Sequence, residues 1–167
     1  MTRILFICHG NICRSPMAEY VFKDMVRKAG LENDFEIDSA ATSREEIGND
    51  IYPPAKAVLT AHGVPFERRH ARRMTQEDLD YYDFIVAMEE YNLHNIARMF
   101  GRSALKKMSL LMDYTDRPGD VSDPWYTRDF ETAYRDIEDG CEGMMLRLGR
   151  RNNYYHSITF PPSKNCR

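Results

Sequence analysis

The chain has 167 residues, 43% hydrophobic and 29% charged, which suits one globular domain that buries its own core without metals or disulfides. A net charge of −3 argues against nucleic acid or an acidic membrane as partner, and no apolar run approaches the ~20 residues of a membrane-spanning helix. Met1-Thr2-Arg3 leads straight into an apolar segment without a signal-peptide pattern, so a cytoplasmic setting is expected. The cysteines Cys8, Cys13, Cys141 and Cys166 lack the Cys-x-x-Cys spacing of zinc sites, and a reducing compartment keeps them as thiols.

Ile4-Leu5-Phe6-Ile7 reads as a buried parallel strand. Ser15 is then expected as an N-cap, with Pro16 at the first helical position and Glu19 completing the capping spacing. Ala18, Val21, Phe22, Met25, Val26 and Ala29 mark one face of that helix, which stops at Gly30. Phe35 to Ala40 reads as a second strand and Thr42 to Tyr52 as a polar loop. Pro53-Pro54 opens a helix that ends at Gly63, and Thr75 with Asp78 predicts a short capped helix before Tyr82. Phe84 to Met88 is a third buried strand, and Leu93, Ile96, Ala97 and Phe100 face a helix ended by Gly101. Leu105 to Leu111 is expected to hold a short fourth strand, and Met112 to Pro124 a long acidic loop turning at Pro118-Gly119. The last helix carries Phe130, Tyr134, Ile137, Cys141, Met144, Met145 and Leu148 toward the core. Gly140 and Gly143 within it each cost about 1 kcal/mol relative to Ala, a place for a bend. Strands alternating with helices predict an α/β fold of three layers, a parallel sheet with helices on both faces. The domain is expected over residues 1–149, with a poorly ordered tail over 150–167.

The chemistry concentrates in Cys8-His9-Gly10-Asn11-Ile12-Cys13-Arg14-Ser15-Pro16. A strand, a tight loop and a helix start meet there, beyond the carboxyl end of the strand where such folds bind ligands. Amides of such a loop converge on an anion, and the helix dipole adds positive potential. The same field stabilises a thiolate, which makes Cys8 the candidate nucleophile. Arg14 brings a planar fork that can grip two phosphoryl oxygens. His9, Gly10, Asn11, Ile12, Cys13 and Arg14 are therefore the candidate phosphate-binding loop. Asn11 tolerates the left-handed backbone such a loop needs.

Cys8 through Glu19 resembles the phosphate loop of the low molecular weight protein tyrosine phosphatases. Ser39-Ala40-Ala41-Thr42, Asp83 through Met88, and Asp120 through Tyr126 recur in that family's order and spacing, so the resemblance covers about residues 3 to 148. It implies four parallel strands in the order 2-1-3-4 and hydrolysis of phosphotyrosine in protein substrates through a phosphocysteine intermediate. No cofactor or metal is implied, and inorganic phosphate is the expected product and inhibitor.

Leaving-group protonation needs a carboxylic acid, and Asp113, Asp116, Asp120 and Asp123 share the right loop. Asp123 stands out because Pro124 restricts it and Trp125-Tyr126 follow as rings to flank an aromatic substrate. It could instead only cap the last helix, but Asp123-Pro124 matches the family's general-acid dipeptide. The other three acids read as solvated loop charges. Ser15 can also donate to the Cys8 sulfur, and the resemblance places Ser39 in a network that holds Asn11. A family histidine joins that network, but an extra residue between Gly63 and Ala71 leaves Arg69 and His70 both as counterparts. His9 either adds positive charge or points to solvent. Cys13 either captures an oxidised Cys8 as a disulfide or fills space beneath the loop. Glu45 stands where many members carry a tryptophan at the pocket mouth, leaving Trp125 and Tyr126 as the aromatic walls. Glu45 and Glu46 then either favour basic residues beside the phosphotyrosine or only solvate the loop.

Three other readings share the loop. A thioredoxin-coupled arsenate reductase needs two further cysteines near the nucleophile, and none lies between Cys13 and Cys141. A protein arginine phosphatase carries a threonine where this chain has Ile12, whose side chain offers a ring an apolar wall. A catalytically dead phosphate-binding module is at odds with the complete set Cys8, Arg14 and Asp123.

Overall fold

Thr2–Cys8 form the first strand, β1, whose pleat sends Ile4, Phe6 and Cys8 to one face and Leu5 and Ile7 to the other. In the computed structural model, which describes residues 1–149, each face has its own core. On the first lie Met17, Val21 and Phe22 of α1 (Arg14–Lys28), Leu59 of α2 (Pro53–Ala61), and Ile137, Cys141 and Met144 of α6 (Phe130–Gly149). On the second lie Leu79 of α3 (Gln76–Tyr81) and Ile96 of α4 (Glu90–Phe100). Strands β2 (Phe35–Ala41), β3 (Phe84–Ala87) and β4 (Met108–Leu110) complete a parallel sheet in the order β2-β1-β3-β4. The three layers and the strand order match expectation. The tail expected from residue 150, with Cys166, lies outside the described residues.

Several elements differ from the expectation. Helix α1 begins at Arg14, and its N-cap position, Cys13, makes no side-chain cap bond. Ser15 is thus inside the helix, because its hydroxyl is engaged by Cys8 and Asn11 rather than by a helix amide. Glu19 likewise makes no capping box; it accepts from Ser39 Oγ at 2.6 Å. The third strand stops one residue early, at Ala87. The fourth is the short strand expected within Leu105 to Leu111, with 3₁₀ turns over Arg102–Lys107 and Leu111–Tyr114 on either side. Pro124–Thr127 forms a one-turn helix, α5, between the acidic loop and the last helix, where none is expected.

Helix α6 runs through Gly140 and Gly143 as one element. A Cβ at Gly140 would lie 2.4 Å from Leu111 Cγ, and one at Gly143 2.0 Å from the Tyr114 carbonyl oxygen. Those glycines are where α6 closes on the turn after β4, and that close packing offsets their poor helix propensity.

Candidate active site

The carboxyl end of β1 places Cys8 beside Ala41 of β2, and the chain then folds into the loop that starts α1. Asn11, fully buried, takes φ 60, the left-handed conformation that asparagine tolerates. This lets its amide donate to Cys8 Sγ at 3.3 Å. The amides of Gly10, Ile12, Cys13 and Arg14 donate to no protein acceptor among the described residues. Together with the α1 N-terminus they form a cradle for an anion over the thiol.

A buried polar chain fixes this loop. Asn11 Nδ2 donates to Ser15 Oγ at 2.8 Å and to Ser39 Oγ at 2.9 Å, and Ser39 passes its own hydrogen to Glu19. Since Ser15 Oγ accepts from Asn11, its hydrogen is free for Cys8 Sγ, 3.0 Å away. Arg69 settles the alternative left open by the sequence: its guanidinium donates to both the carbonyl oxygen and Oδ1 of Asn11, whereas His70 bonds the Gly48 carbonyl. Arg72 N adds a bond to Asn11 Oδ1 at 3.2 Å. The cation lies at the position the sequence leaves ambiguous, and only the three-dimensional register of the Val64–Ala71 segment resolves it.

Arg14 is 4% exposed. It donates to Val121 O at 3.2 Å, to Glu89 Oε1 at 3.0 Å and to Asp123 Oδ2 at 3.2 Å. Burial opposes its charge, but Glu89, Cys8 and Asp123 outweigh that and hold the guanidinium above its ordinary pKa. Asp123 also caps α5, accepting from Trp125 N at 3.0 Å, so the capping role and the place in the site coexist, and the helix capped is α5 rather than the last one. Asp113 and Asp120 are less free than expected: each accepts a backbone amide, from Leu110 and Glu90 respectively.

Glu89 is absent from the sequence reading. The usable signal was its position just past the carboxyl end of β3, next to β1, where ligand-facing groups gather in such sheets. It also forms a capping box with Asn92 at the start of α4, which holds its backbone in place.

The cavity above the loop has a volume of about 610 Å³ and is lined by Cys8, Arg14, Ile12, Asp123, Trp125 and Tyr126 among others. Trp125 and Tyr126 are 60% and 83% exposed, open at the mouth, and Glu45 and Glu46 join them there. His9 does not face solvent alone: its Nε2 lies 2.9 Å from Glu45 Oε2. Cys13 also lines the cavity, its thiol pushed up to about 12 by burial first and then by the charge of Cys8. Among the described residues no group of three or more His, Cys, Asp and Glu could hold a metal, and no helix is long and apolar enough to cross a membrane.

A cysteine at the end of a parallel strand, ringed by free amides and closed by a buried arginine and an aspartate, defines an enzyme site for cysteine-dependent phosphoryl chemistry. A model of the low molecular weight phosphotyrosine protein phosphatase family matches residues 3–153. The chain is 38% identical over 150 residues to the low molecular weight protein-tyrosine-phosphatase YfkJ of Bacillus subtilis, covering 89% of this chain and 96% of that protein. It is 36% identical over 147 residues to the human low molecular weight phosphotyrosine protein phosphatase, covering 85% and 92% respectively. The crystal structure of YfkJ superposes with a TM-score of 0.87 over 91% of this chain and 97% of that one, at 36% identity. That of a Drosophila arginine phosphatase superposes with a TM-score of 0.78 over 89% and 98%, at 30% identity. The chain belongs to the low molecular weight phosphotyrosine protein phosphatase family.

Proposed function

We propose that this enzyme hydrolyses phosphotyrosine in protein substrates through a phosphocysteine intermediate. The observation that carries the reading is the convergence on one cavity of Cys8, with its Ser15 and Asn11 donors, and the Arg14–Asp123 pair. Cys8 Sγ attacks phosphorus, and an S–P bond forms as the bond to the phenolic oxygen breaks. Arg14 and the loop amides hold the three equatorial oxygens, where charge is greatest in the transition state. As Arg14 turns from its carboxylates to the phosphoryl group, Asp123 is left facing the leaving oxygen and gives it a proton. Asp123 then takes a proton from water, whose oxygen attacks phosphorus and releases the Cys8 thiolate and inorganic phosphate. Phosphate fits the same cradle and so acts as a competitive inhibitor. A cytoplasmic setting, in which thiols stay reduced, suits the nucleophile.

Arginine phosphatase activity is the second reading, favoured by the likeness to the Drosophila arginine phosphatase. Ile12 lines the cavity and supports the first reading, since an apolar wall suits a phenyl ring and leaves the N–H groups of a phosphoguanidinium unpaired. Phosphate release from a phosphotyrosine peptide, a phosphoarginine peptide and p-nitrophenyl phosphate separates the two. The proposal expects the highest kcat/KM on the phosphotyrosine peptide; a higher value on phosphoarginine would replace it with the second reading.

A further inference from the structure

The mouth of the cavity carries three side chains that neither the proposed chemistry nor the phosphate cradle uses. Glu45 comes from the loop after β2, Tyr91 from the first turn of α4, and the His9 ring from the loop after β1. His9 joins them: its Nε2 is 2.9 Å from Glu45 Oε2, and its ring centroid is 6.5 Å from that of Tyr91, tilted by 34°. His9 Nδ1 is buried without a hydrogen-bond partner among the described residues. A hydrogen on Nε2 meets Glu45, whereas one on Nδ1 would meet no acceptor, so the Nε2–H tautomer fits the site. In that form His9 orients the Glu45 carboxylate without cancelling its charge.

The other carboxylates at the cavity are committed. Glu89 and Asp123 pair with Arg14, and Glu46 accepts from Asn49 Nδ2 at 2.6 Å. Glu45 meets no lysine or arginine among the described residues. Tyr91, whose ring lies 6.5 Å from that of His9, is 55% exposed and lines the same cavity. An oriented carboxylate that meets no lysine or arginine, and an exposed phenol ring lining the same mouth, are the chemistry that holds a cation, by charge pairing and by the ring quadrupole.

We propose that His9, Glu45 and Tyr91 form a specificity subsite that takes a lysine or arginine side chain next to the phosphotyrosine. Glu45 and Tyr91 contact the cation, and His9 is a positioning residue that holds Glu45. The inference rests on the phosphotyrosine reading above. The subsite restores, from α4, an aromatic wall at a mouth whose Glu45 position supplies none.

The test uses three phosphotyrosine peptides that differ in one flanking residue, Lys, Gln or Asp, with p-nitrophenyl phosphate run alongside. kcat/KM is expected to fall in the order Lys, Gln, Asp, by about two- to fivefold per step at low salt, the range exposed ion pairs support. The spread should shrink as salt shortens the screening length. Glu45→Gln and His9→Leu should each reduce the Lys-to-Asp ratio, and Tyr91→Ala should reduce the Lys-to-Gln ratio. Equal kcat/KM on all three peptides, or ratios unchanged in Glu45→Gln and Tyr91→Ala, would overturn the subsite and leave the phosphatase reading standing. Turnover of p-nitrophenyl phosphate with none of the three peptides hydrolysed would instead overturn the phosphotyrosine reading, and the subsite with it.

Discussion

Replacing Arg69 by methionine tests how the phosphate loop is held. Methionine keeps much of the apolar stem but removes both donors to Asn11. Oδ1 of Asn11 would keep the Arg72 amide at 3.2 Å, but its carbonyl oxygen would be left buried and unpaired. Losing hydrogen bonds to a charged donor costs about 1.5–3 kcal/mol. At roughly 2–4 °C per kcal/mol for a chain of this size, Tm should fall by about 3–12 °C. The left-handed backbone at Asn11 is also released, and the amide aimed at Cys8 Sγ moves with it. Because displacements near 1 Å at a reacting centre cost up to about 100-fold, kcat on p-nitrophenyl phosphate should drop by about 10- to 100-fold. Thermal unfolding and steady-state kinetics on the same preparation measure both effects. Arg69→Lys, with one donor group in place of a fork, should fall between the two. An Arg69→Met protein with wild-type Tm and wild-type kcat would show that Arg69 does not hold the loop.

Other consequences follow from individual contacts. Gly143→Ala gains about 1 kcal/mol of helix propensity but puts a Cβ 2.0 Å from the Tyr114 carbonyl, so chemical denaturation should show a less stable protein. Equal or greater stability would mean that α6 is not pinned there. Burial, then Glu138 and Asp139, raises the Glu142 carboxyl to about 7, so the folded state binds its proton more tightly than the unfolded state, whose carboxyl ionises near 4.5. That contribution to stability is fully present below about pH 4.5 and lost as pH rises toward 7. Glu142→Gln should therefore raise Tm above pH 7 and lose that advantage near pH 4. Iodoacetamide at pH 7 should label Cys8 while sparing Cys13, held as thiol by its pKa of about 12, and the fully buried Cys141. Peptide mapping that found Cys13 labelled first would contradict the assignment of the nucleophile.

The parts of the fold legible in the sequence are those set by period and punctuation. Ile4 to Ile7 and Phe35 to Ala40 pair as read, and Gly30, Gly63 and Gly101 follow helices in positive φ. Helix α5 escaped because a single turn has no periodicity to detect, and the short β4 lies within the stretch read for it, where three residues find a partner on β3. Ser15 was misread as a cap because Ser-Pro before an apolar run signals a helix start whether the hydroxyl serves an amide or a neighbouring sulfur. In the site, Cys8, Arg14 and Asp123 could be read because the first two share a short loop and the third sits beside a proline. Arg69 could be read only as one of two alternatives, because of the extra residue before Ala71, and Glu89 and Tyr91 went unread because the sheet order brings them in from a distant segment. His9 and Glu45 are 36 residues apart, so their pairing is a property of the fold alone.

The central claim is that Cys8 carries the phosphoryl group between substrate and water. Rapid acid quench of the enzyme during turnover of a phosphotyrosine peptide, followed by peptide mass spectrometry, tests it most directly. The account predicts one phosphoryl adduct on the Cys8 peptide, present in the steady state and absent from a Cys8→Ser protein that no longer turns over. A phosphoryl group on any other residue, or undiminished turnover by Cys8→Ser, would contradict it.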